Sequence, residues 1–451
     1  DRILFIVVVS ALLHCLVGVA QILFHADMPF WLPPSPNAEP SGLFQQINNQ
    51  ATYQVTAIMI AAYLVTRPFL IHNKIWIQIL VIITLACASF LVAVSGSRVG
   101  ALTLTLGLLI IIPSLWQRFK RNKQLSVIAL LALLIGFGVG VWPGQEQGQG
   151  DNELINKTVA MQSGYSGTSR LGIYKISLDL IKQQPVFGYG IGSFPRVWQY
   201  AKPEFHQSHP DAVLPNKYIS HPHNEIMFWL VEGGLVAGVG LVGVALGVIL
   251  AFRRIGWQRG GAYAAILVPI VLHTQVELPF YTSMLHWFLV MLITFILFSG
   301  AQYKTIIVTS TQRIKGYFFM LSGMALVAGF LLIHTAISNR EFLTASQSDY
   351  WLDNTFAYSF SNPIFQDHAE WVVMRGLVSQ GLKDNDSRKL KIYREWSKKT
   401  LITNPDRELF ENLIKIDSLM GEYVEACDYL RLGAAIYPNE DAFQIDNVCD
   451  K

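Results

Sequence analysis

Separate apolar runs, several of them long enough to cross the hydrocarbon of a bilayer, decide most of what this chain can fold into. A span of about 30 Å of hydrocarbon takes roughly 20 apolar residues in helical form. The runs are Ile3 to Phe24, Ala51 to Thr66, Ile75 to Val94, Ala101 to Leu115, Leu125 to Trp142, Ile226 to Phe252, Ala262 to Val276, Met284 to Phe298 and Tyr317 to Ile337, which predict nine crossings. Over 451 residues, 52% are hydrophobic and 14% charged, which excludes a soluble globular chain. The first run lacks the small-residue cleavage site of a signal peptide. It reads as a permanent span, with further sequence expected before Asp1. The predicted class is all-α: a polytopic transmembrane helical bundle with a large external loop and a C-terminal external helical, tetratricopeptide-like domain.

The basic residues gather between spans. Arg67 and Lys74 flank one loop, Arg118, Lys120, Arg121 and Lys123 fill the next, Arg253, Arg254 and Arg259 a third, and Lys304, Arg313 and Lys315 a fourth, with no Asp or Glu in any of them. The positive-inside rule puts these four loops in the cytoplasm and the alternate loops, rich in acids, prolines and histidines, outside. The domains then run 1–142 (spans one to five), 143–223 (large external loop), 224–337 (spans six to nine) and 338–451 (external tail). In the tail, Asn404-Pro405 and Tyr437-Pro438 lie one tetratricopeptide-like period apart and bracket Glu408 to Met420 and Tyr423 to Ile436. One such unit cannot bury its own face, so helices from Trp351 onward are expected to complete a stack. Cys15 and Cys87 fall in spans, whereas Cys427 and Cys449 share the tail, where an oxidising compartment permits a disulfide. A net charge of +3 is too small to point to nucleic acid.

Three basic residues lie at the outer boundary or in the long loop: Arg98 in Ser95-Gly96-Ser97-Arg98, Arg170 in Gly167-Thr168-Ser169-Arg170, and His223 in His221-Pro222-His223-Asn224. A guanidinium is always charged and offers forked donors to phosphate oxygens, so the two arginines suit a pyrophosphate at the membrane surface. A single interfacial arginine also simply snorkels to headgroups. The segment after Arg170 reads as a surface helix, with Leu171, Tyr174, Leu178 and Ile181 on an apolar face and Lys175, Asp179 and Lys182 opposite. Gln184-Pro185 ends it, and Gly188-Tyr189-Gly190-Ile191-Gly192 makes either a re-entry turn or a loop whose amides approach an anion. An imidazole at His223 suits a general base for a hydroxyl. His206, His209, His221 and His223 together form an alternative zinc set, although no metal-binding helix motif accompanies them. Glu277, in His273-Thr274-Gln275-Val276-Glu277-Leu278-Pro279, is a boundary carboxylate that either orients a basic residue or faces the aqueous mouth.

In this order the residues resemble the superfamily of O-antigen ligases, O-antigen polymerases and bacterial O-oligosaccharyltransferases that glycosylate pilins and other proteins. The resemblance rests on Ser97-Arg98, on the loop opening at Ser169-Arg170 and passing through Pro185-Val186-Phe187-Gly188-Tyr189-Gly190, and on His223-Asn224 followed by Gly233-Gly234. Gln46-Ile47-Asn48-Asn49-Gln50-Ala51-Thr52, His273 to Pro279 and the helical tail look most like the protein-glycosylating branch. Ala237 departs from the Gly, Thr or Tyr that usually ends the ligase pattern. The resemblance implies a glycan on undecaprenyl pyrophosphate, an acceptor hydroxyl on a periplasmic, pilin-like protein, no cofactor and no metal, in a bacterial inner membrane with the site and tail facing the periplasm. It casts His223, Arg170 and Arg98 as catalytic and Asn224, Glu277, Lys175, His221, His273, Gln46 and Asn49 as substrate-binding.

The nearest rival is a ligase or polymerase whose acceptor is a lipid core or another glycan. The helical tail tilts the reading to protein, because tetratricopeptide-like stacks present concave surfaces to polypeptides. A transporter for the same lipid-linked glycan needs charged or broken helices near mid-membrane, and these spans are almost uncharged inside. A scaffold explains the tail but leaves the external Arg and His residues idle.

Overall fold

A computed structural model describes every residue except 26, 30–31, 36, 45, 143–164, 302–310, 346–355, 439, 444–448 and 450–451. Among the described residues there is no strand, and the fold is an all-α polytopic membrane bundle. Two compact units divide it: Asp1–Trp198, Ser208–Pro215 and Ile219–Tyr303 form the first, and Gln199–Gln207, Asn216–Tyr218 and Lys304–Lys451 the second. The units cut across the four sequence segments, since pieces of the long loop and the last apolar helix group with the tail.

In the first unit the apolar runs become α1 (Arg2–Phe24), α2 (Ile47–Val65), α3 (Ile75–Val94), α4 (Arg98–Arg121) and α5 (Lys123–Val141). The long loop supplies α6 (Tyr165–Gln183) and α7 (Phe194–Ser208), which crosses the unit boundary. Three further apolar helices follow: α8 (Glu225–Ile255), α9 (Trp257–His273) and α10 (Met284–Gly300). α2 is the central post, packed against α1, α3, α4 and α9 and buried from Asn49 to Ala61. It carries polar side chains that a lipid-facing helix would not tolerate, and backbone carbonyls of α1 accept from two of them. Gln54 donates to the Ala11 carbonyl at 3.2 Å, and Gln50 to the His14 carbonyl at 3.2 Å. That shielding explains why α2 begins at Ile47, four residues before its apolar run.

α2, α4, α8 and α9 each have one end beside a basic loop: Arg67, Arg118 to Arg121, Arg253 with Arg254, and Arg259. Their other ends carry Gln46, Ser97, Asn224 and His273. Connectivity alone therefore collects the chemically interesting residues at one end of the bundle.

α6 buries Ile173, Ile176 and Leu180, at 1–3% exposure, while Leu171 and Leu178 remain 57% and 48% exposed. Leu171 and Leu178, on the face expected to lie along the bilayer surface, are thus off the protein core. The helix carries two apolar rows, and periodicity does not tell which one meets the core.

α8 breaks at Gly234, whose φ of 56° and ψ of −151° are non-helical. The loop after α6 enters the break. Leu235 and Val236 donate to the Pro185 and Val186 carbonyls at 2.8 and 3.2 Å, and Tyr189 and Gly190 donate to the Val231 and Glu232 carbonyls at 3.0 and 2.9 Å. A Cβ on Gly234 would lie 2.5 Å from the Val186 carbonyl oxygen, and one on Gly188 (φ 66°) would lie 2.5 Å from the Glu232 carbonyl carbon. Only glycine permits this contact. The idea that amides of the glycine-rich turn approach an anion is corrected here for Gly188, Tyr189 and Gly190: Gly188 donates to Gln184 at 3.2 Å and the other two to α8.

The second unit contains α11 (Thr311–Ala345), followed by α12 (Gln366–Asp384), α13 (Ser387–Leu401), α14 (Arg407–Met420) and α15 (Tyr423–Ile436), each packed on the next through α15. Asp386 and Asp406 cap α13 and α14 with their side chains, and Gly421 closes α14 in the left-handed conformation. The two Pro-marked turns meet, with Tyr437 donating to the Pro405 carbonyl at 2.7 Å. Cys427 and Cys449 are joined by a disulfide.

Candidate active site

Arg98 is the first residue of α4, held there by the Ser97 cap, whose Oγ accepts from Gly100 N at 3.1 Å and donates to Asn48 Oδ1 at 2.8 Å. A cation at a helix N-terminus opposes the helix dipole, which favours anions at that end. Arg98 Nε is buried without a hydrogen-bond partner among the described residues. Both facts fit a guanidinium kept for an anionic ligand. Arg170, on the first turns of α6, sends a guanidinium nitrogen to Glu277 Oε1 at 3.3 Å.

Glu277 joins two of the basic residues. Its other oxygen, Oε2, lies 3.1 Å from His223 Nδ1. Burial alone would raise the Glu277 pKa, but the hydrogen bond from His223, its attraction when the imidazole is protonated, and the Arg170 guanidinium outweigh it and hold the carboxyl below its ordinary value. An ionised carboxylate only accepts, so the proton on His223 sits on Nδ1 and leaves Nε2 as the basic nitrogen. His223 has a φ of 55°, a left-handed conformation unusual for a residue with a Cβ. Strained backbone of this kind concentrates where surrounding structure fixes a side chain for function.

The strain is held by stitching at the start of α8. Asn224 caps that helix, accepting from Met227 N at 2.9 Å, and its amide donates to the Gln275 carbonyl at 3.2 Å. Glu225 N donates to the Thr274 carbonyl at 2.8 Å. The loop that carries Glu277 is therefore fixed to the helix that follows His223.

A cavity of about 420 Å³ opens between these elements, lined by Glu39, Gln46 to Asn48, Ser95 to Val99, Arg170, Val276 and Glu277. The structure thus brings Arg98, Arg170, Glu277 and Gln46 into the lining of one cavity, with His223 one hydrogen bond from Glu277. His221 packs on His223 with ring centroids 4.4 Å apart. Asn49 and His273 are fully buried and outside that lining: Asn49 donates to Thr282 Oγ1 at 2.9 Å, and His273 Nδ1 meets Thr52 Oγ1 at 2.9 Å. They tie α2 to the segment around Glu277. Lys175 is exposed on α6, away from the cavity lining.

Sequence reasoning passed over Asn48, Glu39 and Glu232. Asn48 stands one position from Asn49 in the same motif, and only the helical register separates the cavity-facing amide from the buried one. Glu232 is an acid next to a glycine pair inside an apolar run, a signal in itself; it is buried and accepts from Phe194 N at 3.1 Å, at the start of α7.

His221, His223 and Glu277 place three possible metal-ligand atoms within 4.8 Å of one another. His206 and His209 are outside that group. The Arg170 guanidinium on Glu277 sets a fixed positive charge against a dication there. The arrangement is better matched to an anion held by two arginines beside an oriented imidazole.

Comparison with known proteins bears on the same elements. Residues 82–242, from α3 to the first half of α8, match the O-antigen ligase family. Residues 262–448 match a family described as virulence factor membrane-bound polymerase, C-terminal. Together these matches support an O-antigen ligase superfamily assignment. A General O-oligosaccharyltransferase of Acinetobacter baylyi is 24% identical over 248 residues, covering 53% of this chain and 40% of that relative. The match thus spans less than half of the relative's length. The superfamily's ligase region includes Arg98, Arg170 and His223, while Glu277 falls in the second matched region.

Proposed function

We propose that the protein is an oligosaccharyltransferase that moves a glycan en bloc from undecaprenyl pyrophosphate to a Ser or Thr hydroxyl of a periplasmic, pilin-like protein. The observation that carries this reading is the single cavity lined by both Arg98 and Arg170, backed by the His223–Glu277 pair. In this mechanism the two guanidiniums hold the pyrophosphate and take up the charge that develops as it leaves. His223 Nε2 removes the proton from the acceptor hydroxyl, whose oxygen attacks the anomeric carbon. The bond from that carbon to the pyrophosphate oxygen breaks, so direct displacement inverts the configuration. A fixed, preorganised cation at the developing charge is worth roughly 3 kcal/mol of barrier. The chemistry calls on no metal, because lipid pyrophosphate is already a good leaving group. The site and the tail face the periplasm, as the basic loops at the opposite helix ends support, and the membrane is the bacterial inner membrane.

The matches to ligase and polymerase families favour a second reading, in which the acceptor is a lipid core or another glycan. The two are separated by reconstituting the purified chain with a pyrophosphate-linked oligosaccharide and offering a pilin-like protein and a lipid-core glycan together, with chelator present. Glycan found by mass spectrometry on a Ser or Thr supports the first reading. Transfer only to glycan moves the protein to the second, and transfer to neither overturns both.

A further inference from the structure

The loop between α6 and α7 does more than fill the break in α8. Its tip presents Val186, Phe187 and Ile191 outward, at 50%, 76% and 86% exposure. Immediately beside it, α8 presents Leu235, Val236, Val239 and Val242, each between 58% and 72% exposed, on a helix whose length and composition suit a membrane crossing. The two surfaces are continuous, because Val236 N donates to the Val186 carbonyl itself. Depth follows from counting along the helix. From the break at Gly234 to Arg253 is about 28 Å of helix at 1.5 Å per residue, close to the thickness of roughly 30 Å expected for bilayer hydrocarbon. With Arg253 and Arg254 at one headgroup boundary, the break and the loop hydrogen-bonded to it stand at the other.

We infer that the Val186–Ile191 tip is a membrane-dipping anchor, seated in the acyl chains just beneath the headgroups of the leaflet opposite Arg253. Apolar side chains of this size have no reason to stand in water next to a lipid-facing wall, whereas at the headgroup–acyl boundary they are buried by lipid. The polar neighbours agree with that level. Lys182 and Asp179, on the last turns of α6, are exposed and paired with each other at 2.7 Å, as residues on the aqueous side of the boundary would be. The anchor holds the C-terminal end of α6, the helix that carries Arg170, against the membrane surface. The inference rests on the membrane reading of α8 and not on any substrate.

The test uses the unaltered chain in nanodiscs containing phospholipids with a photoreactive diazirine, placed either near the headgroup end of the acyl chain or near its terminus. Trypsin cleavage after Lys182 and Arg196 releases the whole tip as one peptide, and mass spectrometry locates the adducts. The expected result is adducts on Val186, Phe187 or Ile191 with the headgroup-proximal probe and their loss with the terminal probe, while Val239 to Leu250 of α8 are labelled by both. Labelled α8 with an unlabelled tip would overturn the anchor by leaving the tip in water. Stronger labelling of the tip by the terminal probe would overturn the depth assignment. Labelling of neither would overturn the lipid-facing reading of α8 and the anchor with it.

Discussion

Replacing Glu277 with glutamine keeps the shape of the side chain and removes its charge, which isolates the orienting role assigned to it. The carboxylate makes two charge-assisted contacts, one to His223 Nδ1 at 3.1 Å and one to Arg170 at 3.3 Å. The first is partly buried, and a hydrogen bond to a charged group of this kind contributes about 1.5–3 kcal/mol. The second involves a guanidinium that is 36% exposed, so water screens it to roughly 0.5 kcal/mol. If both act on the transition state, the sum of about 2–3.5 kcal/mol corresponds to a loss of roughly 30- to 400-fold in kcat. A glutamine can also accept from Nδ1 only with its oxygen, and when its NH2 faces the ring it favours the wrong tautomer. The assay is single-turnover glycan transfer in detergent, with donor binding measured in parallel. Because the folded pKa of Glu277 lies below its ordinary value, its charge is in place above the carboxylate range and is lost only as pH falls below that range. The deficit of Glu277→Gln should therefore stay constant from neutral pH down to that range. Turnover within twofold of the unaltered protein would refute the orienting role.

Three further outcomes follow from the geometry. Arg98→Ala and Arg170→Ala should each lower transfer by roughly a hundredfold or more, with Lys restoring only part of it because it lacks the fork, as the same assay will read. Gly188→Ala and Gly234→Ala place a Cβ about 2.5 Å from backbone atoms at positive φ, so each should cost about 1–3 kcal/mol or more and lower the thermal midpoint measured in detergent. Lys202, buried in the second unit against the Tyr437 ring at 5.1 Å, has its pKa pushed down by burial to about 7. Between that value and the ordinary lysine range the unfolded chain holds a proton that the folded chain releases, so stability of this unit should rise with pH there by up to about 1.4 kcal/mol per pH unit. Denaturant unfolding followed at Trp371 and Trp396 should show that slope in the unaltered protein and lose it in Lys202→Met.

The apolar runs made the bundle legible, and each of the nine contains a helix among the described residues. Charge bias between the runs was legible as well, because it depends only on which loops carry Lys and Arg. The site was legible as a list of residues at span ends and less so as an arrangement. Glu277 was read as a carboxylate that orients a basic residue or faces the mouth, and in the structure it contacts two basic residues and lines the cavity. Asn49 and His273 came from the same motifs as Asn48 and Glu277, yet they point into the bundle. A motif names a stretch, and only the rotation of the helix within its neighbours decides which member faces the cavity. The break at Gly234 was hidden for a related reason: glycine in an apolar run is common in membrane helices, and the partner that requires it lies more than forty residues earlier, at Pro185 to Gly188. The buried face of α6 was hidden because two apolar rows compete and the sequence does not weigh them.

The most direct test of the account separates donor binding from transfer in one reconstituted system, using a polyprenyl-pyrophosphate-linked glycan and a hydroxyl-bearing acceptor. His223→Ala should bind the donor as the unaltered protein does and fail to transfer it, whereas Arg98→Ala and Arg170→Ala should lose donor affinity and transfer together. Transfer by His223→Ala at the unaltered rate, or undiminished donor affinity in both arginine variants, would contradict the claim that this cavity holds the pyrophosphate beside its base.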